Sequence, residues 1–253
     1  MLGHRLRGRM FDCRSALASV AVAVLLIAGA PAAAAEPPEP PAPIVPAPVQ
    51  PANIGDLKTE ATGYYESGAY LTDLQLATAP AVSWIDEEAP RAERPAVVFD
   101  IDETALSNWE AIQANDFGRV IDGPCDRLPQ GPCGWQSWDL AARSTVIGPT
   151  LDVFNTARDR GAAIFFITGR PESQRAATER NLAAAGYSGY SRLIMEPVGA
   201  HYASAADFKA PQRAAIEQQG YTIIANLGDQ PSDLDGGFAE RTYLLPNPFY
   251  RIP

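Results

Sequence analysis

Lysine is nearly absent from this chain. There are two, Lys58 and Lys209, against 18 arginines. Histidine is as scarce, with two residues, and cysteine numbers three. A metal site of thiolates or imidazoles needs several such residues close together. Cys125 and Cys133 have no third cysteine or histidine near them in the sequence. They bracket a Pro/Gly-rich loop and are expected to form a disulfide in an oxidising compartment. Positive charge is short overall: 20 basic residues face 30 acidic ones, for a net charge of −10. That argues against a nucleic acid polymer or an anionic membrane surface as partner. A small anionic ligand stays open, because charges are screened beyond roughly 8 Å at physiological salt. No Gly-x-Ser-x-Gly and no Gly-Lys-Ser/Thr is present, so neither a serine nucleophile elbow nor a P-loop is encoded. A calcium loop beginning at Asp100 fails too, with Ala105 at its sixth position and Ala111 at its twelfth.

What is present differs between the N-terminal stretch and the rest. Arg5, Arg7, Arg9 and Arg14 come before or at the edge of an apolar run, residues 16–30, and Ala33 and Ala35 stand just before Glu36. This is the layout of a secretory signal peptide over residues 1–35. Pro31 and the alanine run favour cleavage over retention as an anchor, so no stable membrane insertion is expected. Four Arg and one Asp would leave with it, and the remainder holds 16 basic and 29 acidic residues. Residues 36–52 contain eight prolines and read as an extended spacer. One folded domain is expected over 53–253, in a periplasmic or secreted protein. Nothing in the sequence marks an oligomeric state.

Asn53 is a plausible N-cap. Apolar spacing at Leu57, Ala61, Tyr65, Tyr70, Leu74 and Ala77 predicts two helices over 54–88. Gly63 and Gly68 weaken the pattern, and Pro80 is expected to break or kink it. Tyr64, Tyr65 and Tyr70 are expected in the core. Strands are predicted over 96–100, 162–168, 191–195, 222–227 and 241–245, with helices over 148–160, 171–185 and 206–219. This alternation predicts an α/β fold: a parallel sheet with helices on both faces. Residues 109–147 read as irregular. Trp135 and Trp138 within them either line a cleft or pack beneath it.

Three predicted strands end in polar residues: Asp100-x-Asp102-x-Thr104, Thr168-Gly169-Arg170 and Gly228-Asp229. In a parallel sheet all three ends share one edge, where such folds place ligands. Asp100 and Asp102 stand two apart, on one face of an extended chain. Carboxylates that close repel unless a cation or a proton lies between them.

Taken in order with a later Lys209 and with Asp233 completing Gly-Asp-x-x-x-Asp, these residues resemble the four motifs of the haloacid dehalogenase (HAD) superfamily of aspartate-nucleophile phosphatases. Residues 65–70, 100–108, 178–187, 228–234 and 245–248 are similar to its acid phosphatase subfamily IIIB, with class B acid phosphatases and plant vegetative storage proteins. The resemblance covers residues 60–252. It implies a HAD-like, Rossmann-like sheet with N-terminal helices and a small cap-like insertion at 109–147.

It also implies roles. Asp100 would accept the phosphoryl group. Asp102 would protonate the leaving alcohol and then deprotonate water. Lys209, a compact ammonium on a helix, would contact carboxylate and phosphate. Thr168 would bind phosphate, with Thr104, Gly169 and Arg170 as further phosphate or substrate contacts; Arg170 is equally readable as an ion-pair partner. Mg²⁺, which favours oxygen ligands, would sit on Asp100, the backbone carbonyl of Asp102 and Asp229. Asp233 would be at the same edge, as ligand or as orienter of waters or Lys209. The implied function is a secreted, Mg²⁺-dependent acid phosphatase acting on small phosphomonoesters through an aspartyl-phosphate. Alternatives are a non-catalytic binding or storage protein on the same fold, and a phosphotransferase or nucleotidase of the superfamily. Histidine-nucleophile chemistry would need Arg-His-Gly, which is missing; His201 is expected in a loop that can face the cleft.

Overall fold

A computed structural model describes residues 50–252. The expected signal peptide (1–35) and residues 36–49 of the expected spacer lie outside the described residues. The Asn53 carboxamide accepts from the amides of Gly55 at 2.8 Å and Asp56 at 3.4 Å and caps α1 (Ile54–Glu66). Gly68, at a φ of 82°, turns the chain into α2 (Ala69–Glu88). Pro80, where the sequence predicts a break or a kink, lies inside α2 and does not end it. The helix continues because Ala81 and Ile85 beyond it are fully buried in the main core, which outweighs one lost backbone hydrogen bond.

In chain order there follow β1 (Pro95–Phe99), β2 (Leu106–Ser107), α3 (Trp109–Ala114), α4 (Trp135–Ala141), β3 (Thr145–Val146), α5 (Gly148–Asp159) and β4 (Ala163–Pro171). Then come α6 (Arg175–Ala184), β5 (Arg192–Glu196), α7 (Ala205–Gln218), β6 (Thr222–Gly228), α8 (Pro231–Leu234) and β7 (Thr242–Leu244). Five strands form one parallel sheet in the order β5-β4-β1-β6-β7. The strand alternation places Val97 and Phe99 in one core, with Ile85, Phe154 and Phe166. Ala96 and Val98 enter the other, with Phe165, Ile167, Phe208 and Ile216. Both faces are thus covered, as the α/β alternation predicts.

Two boundaries move. The helix expected from residue 171 begins as α6 only at Arg175, after a single 3₁₀ turn at Glu172–Gln174, because β4 stays extended through Pro171. The stretch 109–147 is not wholly irregular: it contains α3 and α4. Its two ends are zipped together by the antiparallel pairs Leu106–Val146 and Ser107–Thr145. Cys125 and Cys133 form the expected disulfide. The Asn115 side chain holds Cys133 in place, accepting from its amide at 2.7 Å and donating to its carbonyl at 2.8 Å. Among the described residues, no helix is long and apolar enough to cross a membrane.

Candidate active site

β1 lies between β4 and β6, so Asp100, the Thr168–Arg170 segment and Asp229 stand side by side at the C-terminal edge. The chain reverses its order of strand addition here, which is where open α/β sheets leave a crevice. A cleft of about 510 Å³ opens at this point. Asp100, Asp102, Lys209, Asp229 and Asp233 line its floor, and Trp135, His201, Tyr202 and Tyr250 stand in its walls.

The first half of the floor is a carboxylate cluster. Oxygens of Asp100, Asp229 and Asp233 lie within 4.8 Å of one another, and all three residues are buried. Lys209, reaching in from α7, donates to Asp100 Oδ1 and, at 2.7 Å, to Asp233 Oδ1. Asp229 is aimed by three donors: Thr104 Oγ1 at 3.1 Å, Gln230 Nε2 at 2.5 Å and Asn247 Nδ2 at 2.7 Å. Asp233 accepts the Gln230 amide at 2.9 Å. It also packs against Gly228, where a Cβ would stand 2.4 Å from that of Asp233, so only glycine fits. Burial drives the Lys209 ammonium down, but Asp100 and Asp233 more than compensate, and it stays protonated. Burial pushes Asp100 up against the pull of Lys209, and Asp233 and Asp229 add to the rise. Burial, then Asp233, pushes Asp229 up to about 7, with Asn247 and Gln230 opposing. Three buried carboxylates face one ammonium, and their donor set is all oxygen. These residues fit a divalent cation.

The second half belongs to Asp102. Ile101 O accepts the amides of Thr104, Ala105 and Leu106, and Glu103 sits at a φ of 51°, so the chain folds back tightly after β1. At this turn Asp102 is set against Arg170. Arg170 Nε lies 3.1 and 3.2 Å from its two oxygens, Nη2 lies 2.5 Å from Oδ1, and Asn108 Nδ2 donates to Oδ1 at 2.8 Å. Burial alone would raise Asp102, but Arg170 and Asn108 outweigh it and hold the carboxyl below its ordinary range. Its side chain remains 19% exposed, enough to reach a ligand in the cleft, whereas that of Arg170 is 2% exposed. Arg170 Nη2 also lies 3.3 Å from Asp139. Burial pushes Asp139 up to about 7, with Arg170 pulling against it. Behind Asp102, buried Glu103 accepts from Asn108 and from the Tyr250 hydroxyl.

Several expectations change. Thr104, a candidate phosphate or substrate contact, is fully buried and donates its hydroxyl to Asp229. Arg170 was open between substrate contact and ion pair; it is paired with Asp102 and Asp139. The carboxylate of Asp102 lies outside the three-acid cluster, which leaves only its backbone carbonyl for a cation. Thr168 is buried, and its hydroxyl oxygen accepts the Arg170 amide at 3.1 Å. Gly169 and His201 line the cleft. The tryptophans divide: Trp135 lines the cleft against Tyr250, while Trp138 is buried. Asn108, Asp139, Asn247 and Tyr250 were not singled out from sequence. Asn108 and Asn247 lie in two of the stretches most similar to the subfamily, 100–108 and 245–248; Asp139 and Tyr250 lie outside those stretches.

The fold and these groups define a class: an α/β domain whose sheet edge holds an acidic, cation-ready pocket with a second, separately gripped carboxylate. A family model described as HAD superfamily, subfamily IIIB (acid phosphatase) matches residues 44–253, and the chain belongs to that family. It is 31% identical to Acid phosphatase 1 of Solanum lycopersicum over 160 residues, covering 63% of this chain and 60% of that protein. It is 34% identical over 158 residues to the Stem 28 kDa glycoprotein of Glycine max, covering 61% and 59%. Vegetative storage protein 1 of Arabidopsis thaliana is 29% identical over 157 residues, covering 62% and 55%. The chain thus spans about three fifths of the length of these relatives. The class C acid phosphatase from Bacillus anthracis with tungstate bound shares the fold, at a TM-score of 0.62 and 20% identity, over 78% of this chain and 86% of that one.

Proposed function

We propose that this protein is an exported, Mg²⁺-dependent phosphomonoesterase that hydrolyses small phosphate monoesters through a phosphoaspartate. The observation that carries the reading is the division of the floor. Asp100 faces a lysine and two further carboxylates, while Asp102, two residues on, is held apart by Arg170 and Asn108. Such a pair supports unequal roles.

Asp100 attacks phosphorus with a carboxylate oxygen. A phosphorus–oxygen bond forms to Asp100 as the ester's phosphorus–oxygen bond breaks, and Asp102 gives its proton to the departing alkoxide. Water then attacks the same phosphorus, Asp102 takes a proton from it, and the Asp100 carboxylate leaves as inorganic phosphate forms. Dividing the reaction this way replaces one hard step with two easier ones. A group that serves as acid and then base contributes about 10²–10⁴-fold. Arg170 keeps Asp102 ionised in the resting site, so the proton it delivers is drawn in with the substrate. Lys209 holds Asp100 in line and offers its remaining N–H to a phosphate oxygen. Thr168 and the open backbone at Gly169 are the proposed phosphate contacts on the other side. Asp100, Asp229, Asp233 and the Asp102 carbonyl would hold the Mg²⁺, which supplies charge neutralisation for the transferring phosphoryl group. The disulfide suits export to an oxidising compartment.

A panel of phosphomonoesters tests the proposal. Phosphate release that EDTA abolishes, Mg²⁺ restores and Asp100→Asn removes is the expected result. Purified protein inert towards the whole panel with Mg²⁺ would favour the non-catalytic, storage-like reading. Product transferred to glycerol in place of free phosphate would favour phosphotransfer.

A further inference from the structure

The insertion between β2 and β3 reaches the chemistry through two neighbouring residues of α4. Asp102 is gripped from two sides, by Asn108 and by Arg170, and each grip is held in turn. Trp138 Nε1 donates to Asn108 Oδ1 at 2.8 Å, and Ser144 Oγ lies 2.7 Å from the same oxygen. An indole N–H can only donate. The oxygen of the Asn108 amide must therefore face Trp138, which turns its NH₂ towards Asp102 at 2.8 Å and Glu103 at 3.1 Å. Asp139, the next residue, forms an ion pair with the same guanidinium nitrogen that bonds Asp102, its Oδ1 lying 3.3 Å from Arg170 Nη2. Trp138, Asp139, Asn108 and Arg170 are all buried, so these contacts form without competition from bulk water. α4 itself is anchored: Cys133, in the disulfide, packs with Trp138 and Ala111 just ahead of it.

We infer that Trp138 and Asp139 are positioning residues for the acid/base, so that the cap-like insertion sets the geometry of proton transfer as well as framing the cleft. Trp138 fixes the orientation of Asn108, and Asp139 fixes Arg170. The inference rests on the reading of Asp102 as the proton donor to the leaving group. It predicts a signature that general loosening does not produce. A displaced acid matters for an alkyl phosphate, whose alkoxide needs the proton, and matters little for 4-nitrophenyl phosphate, whose phenolate leaves without it. Small displacements of a catalytic group can cost about 10²-fold.

The experiment compares kcat/KM for glycerol 2-phosphate and 4-nitrophenyl phosphate in Trp138→Phe, Asp139→Ala and Asp102→Asn, with Mg²⁺ present. Trp138→Phe deletes the N–H together with the five-membered ring and leaves a small cavity at a buried site, so thermal melting checks that both α4 variants fold. The expected result is a loss of roughly 10- to 100-fold on glycerol 2-phosphate, against less than about threefold on 4-nitrophenyl phosphate, in both α4 variants. Asp139→Asn, which keeps an oxygen facing Arg170, is expected to recover part of the loss. Asp102→Asn must show the same leaving-group bias more strongly. If Asp102→Asn shows no bias, the acid/base reading itself fails. If it does and the two α4 variants slow both substrates equally, or not at all, the inference alone is overturned.

Discussion

Replacing Lys209 with methionine removes the single ammonium that faces three buried carboxylates while keeping the length of the side chain. Lys209 is 4% exposed and bonds both Asp100 and Asp233. Deleting one partner of a buried ionic cluster leaves uncompensated charge and costs about 3–5 kcal/mol. The loss is expected in EDTA at neutral pH, read by urea unfolding. It should shrink on acidification from about pH 7 towards 4. Asp229, pushed up to about 7 mainly by burial, takes a proton across that window and relieves the repulsion the lysine had balanced. Mg²⁺ should restore the variant more than the wild type, because the ion supplies the missing charge; binding at 100 times Kd contributes about 2.7 kcal/mol. Activity should fall by about 10²–10³-fold, as on losing one preorganised donor to developing charge. A loss under about 1 kcal/mol in EDTA would refute the view that Lys209 balances this cluster.

Further outcomes follow from the same geometry. Gly228→Ala forces Asp233 away, and Mn²⁺ binding followed by calorimetry should weaken by about 10- to 100-fold; unchanged affinity would remove Asp233 from the cation site. Opening the Cys125–Cys133 loop by double Cys→Ser substitution should cost about 2–3 kcal/mol in urea unfolding. Burial, aided by Asp102, pushes Glu103 up from 4.5 to about 7, opposed by Tyr250 and Asn108. Its contribution is therefore fully present below about pH 4.5 and is lost as pH rises through about 7. In EDTA, Glu103→Gln should lose less stability over that range than the wild type; equal slopes would contradict the assignment.

The sheet could be read from the sequence because its strands are short apolar runs bounded by glycine and polar residues, alternating with helices of ordinary length. Asp100, Thr168 and Asp229 could be placed together from strand ends alone, since a parallel sheet lines those ends up. What surrounds Asp102 was not legible. Tyr250 meets Glu103 across 147 positions and Arg170 meets Asp102 across 68, and no local spacing encodes such contacts. α3 and α4 are only six and seven residues long, too short to show a helical period. At Pro80 a local rule lost to tertiary packing of Ala81 and Ile85. Thr104 follows the motif but turns inward, because the tight turn after β1 buries it against Asp229.

The central claim is that Asp100 carries the phosphoryl group, and acid-quenched turnover of labelled substrate tests it most directly. The expected result is a stoichiometric burst of labelled protein, mapped to Asp100 after borohydride reduction, and absent in Asp100→Asn. Wild-type turnover by Asp100→Asn, or steady turnover with no labelled protein at any quench time, would contradict it.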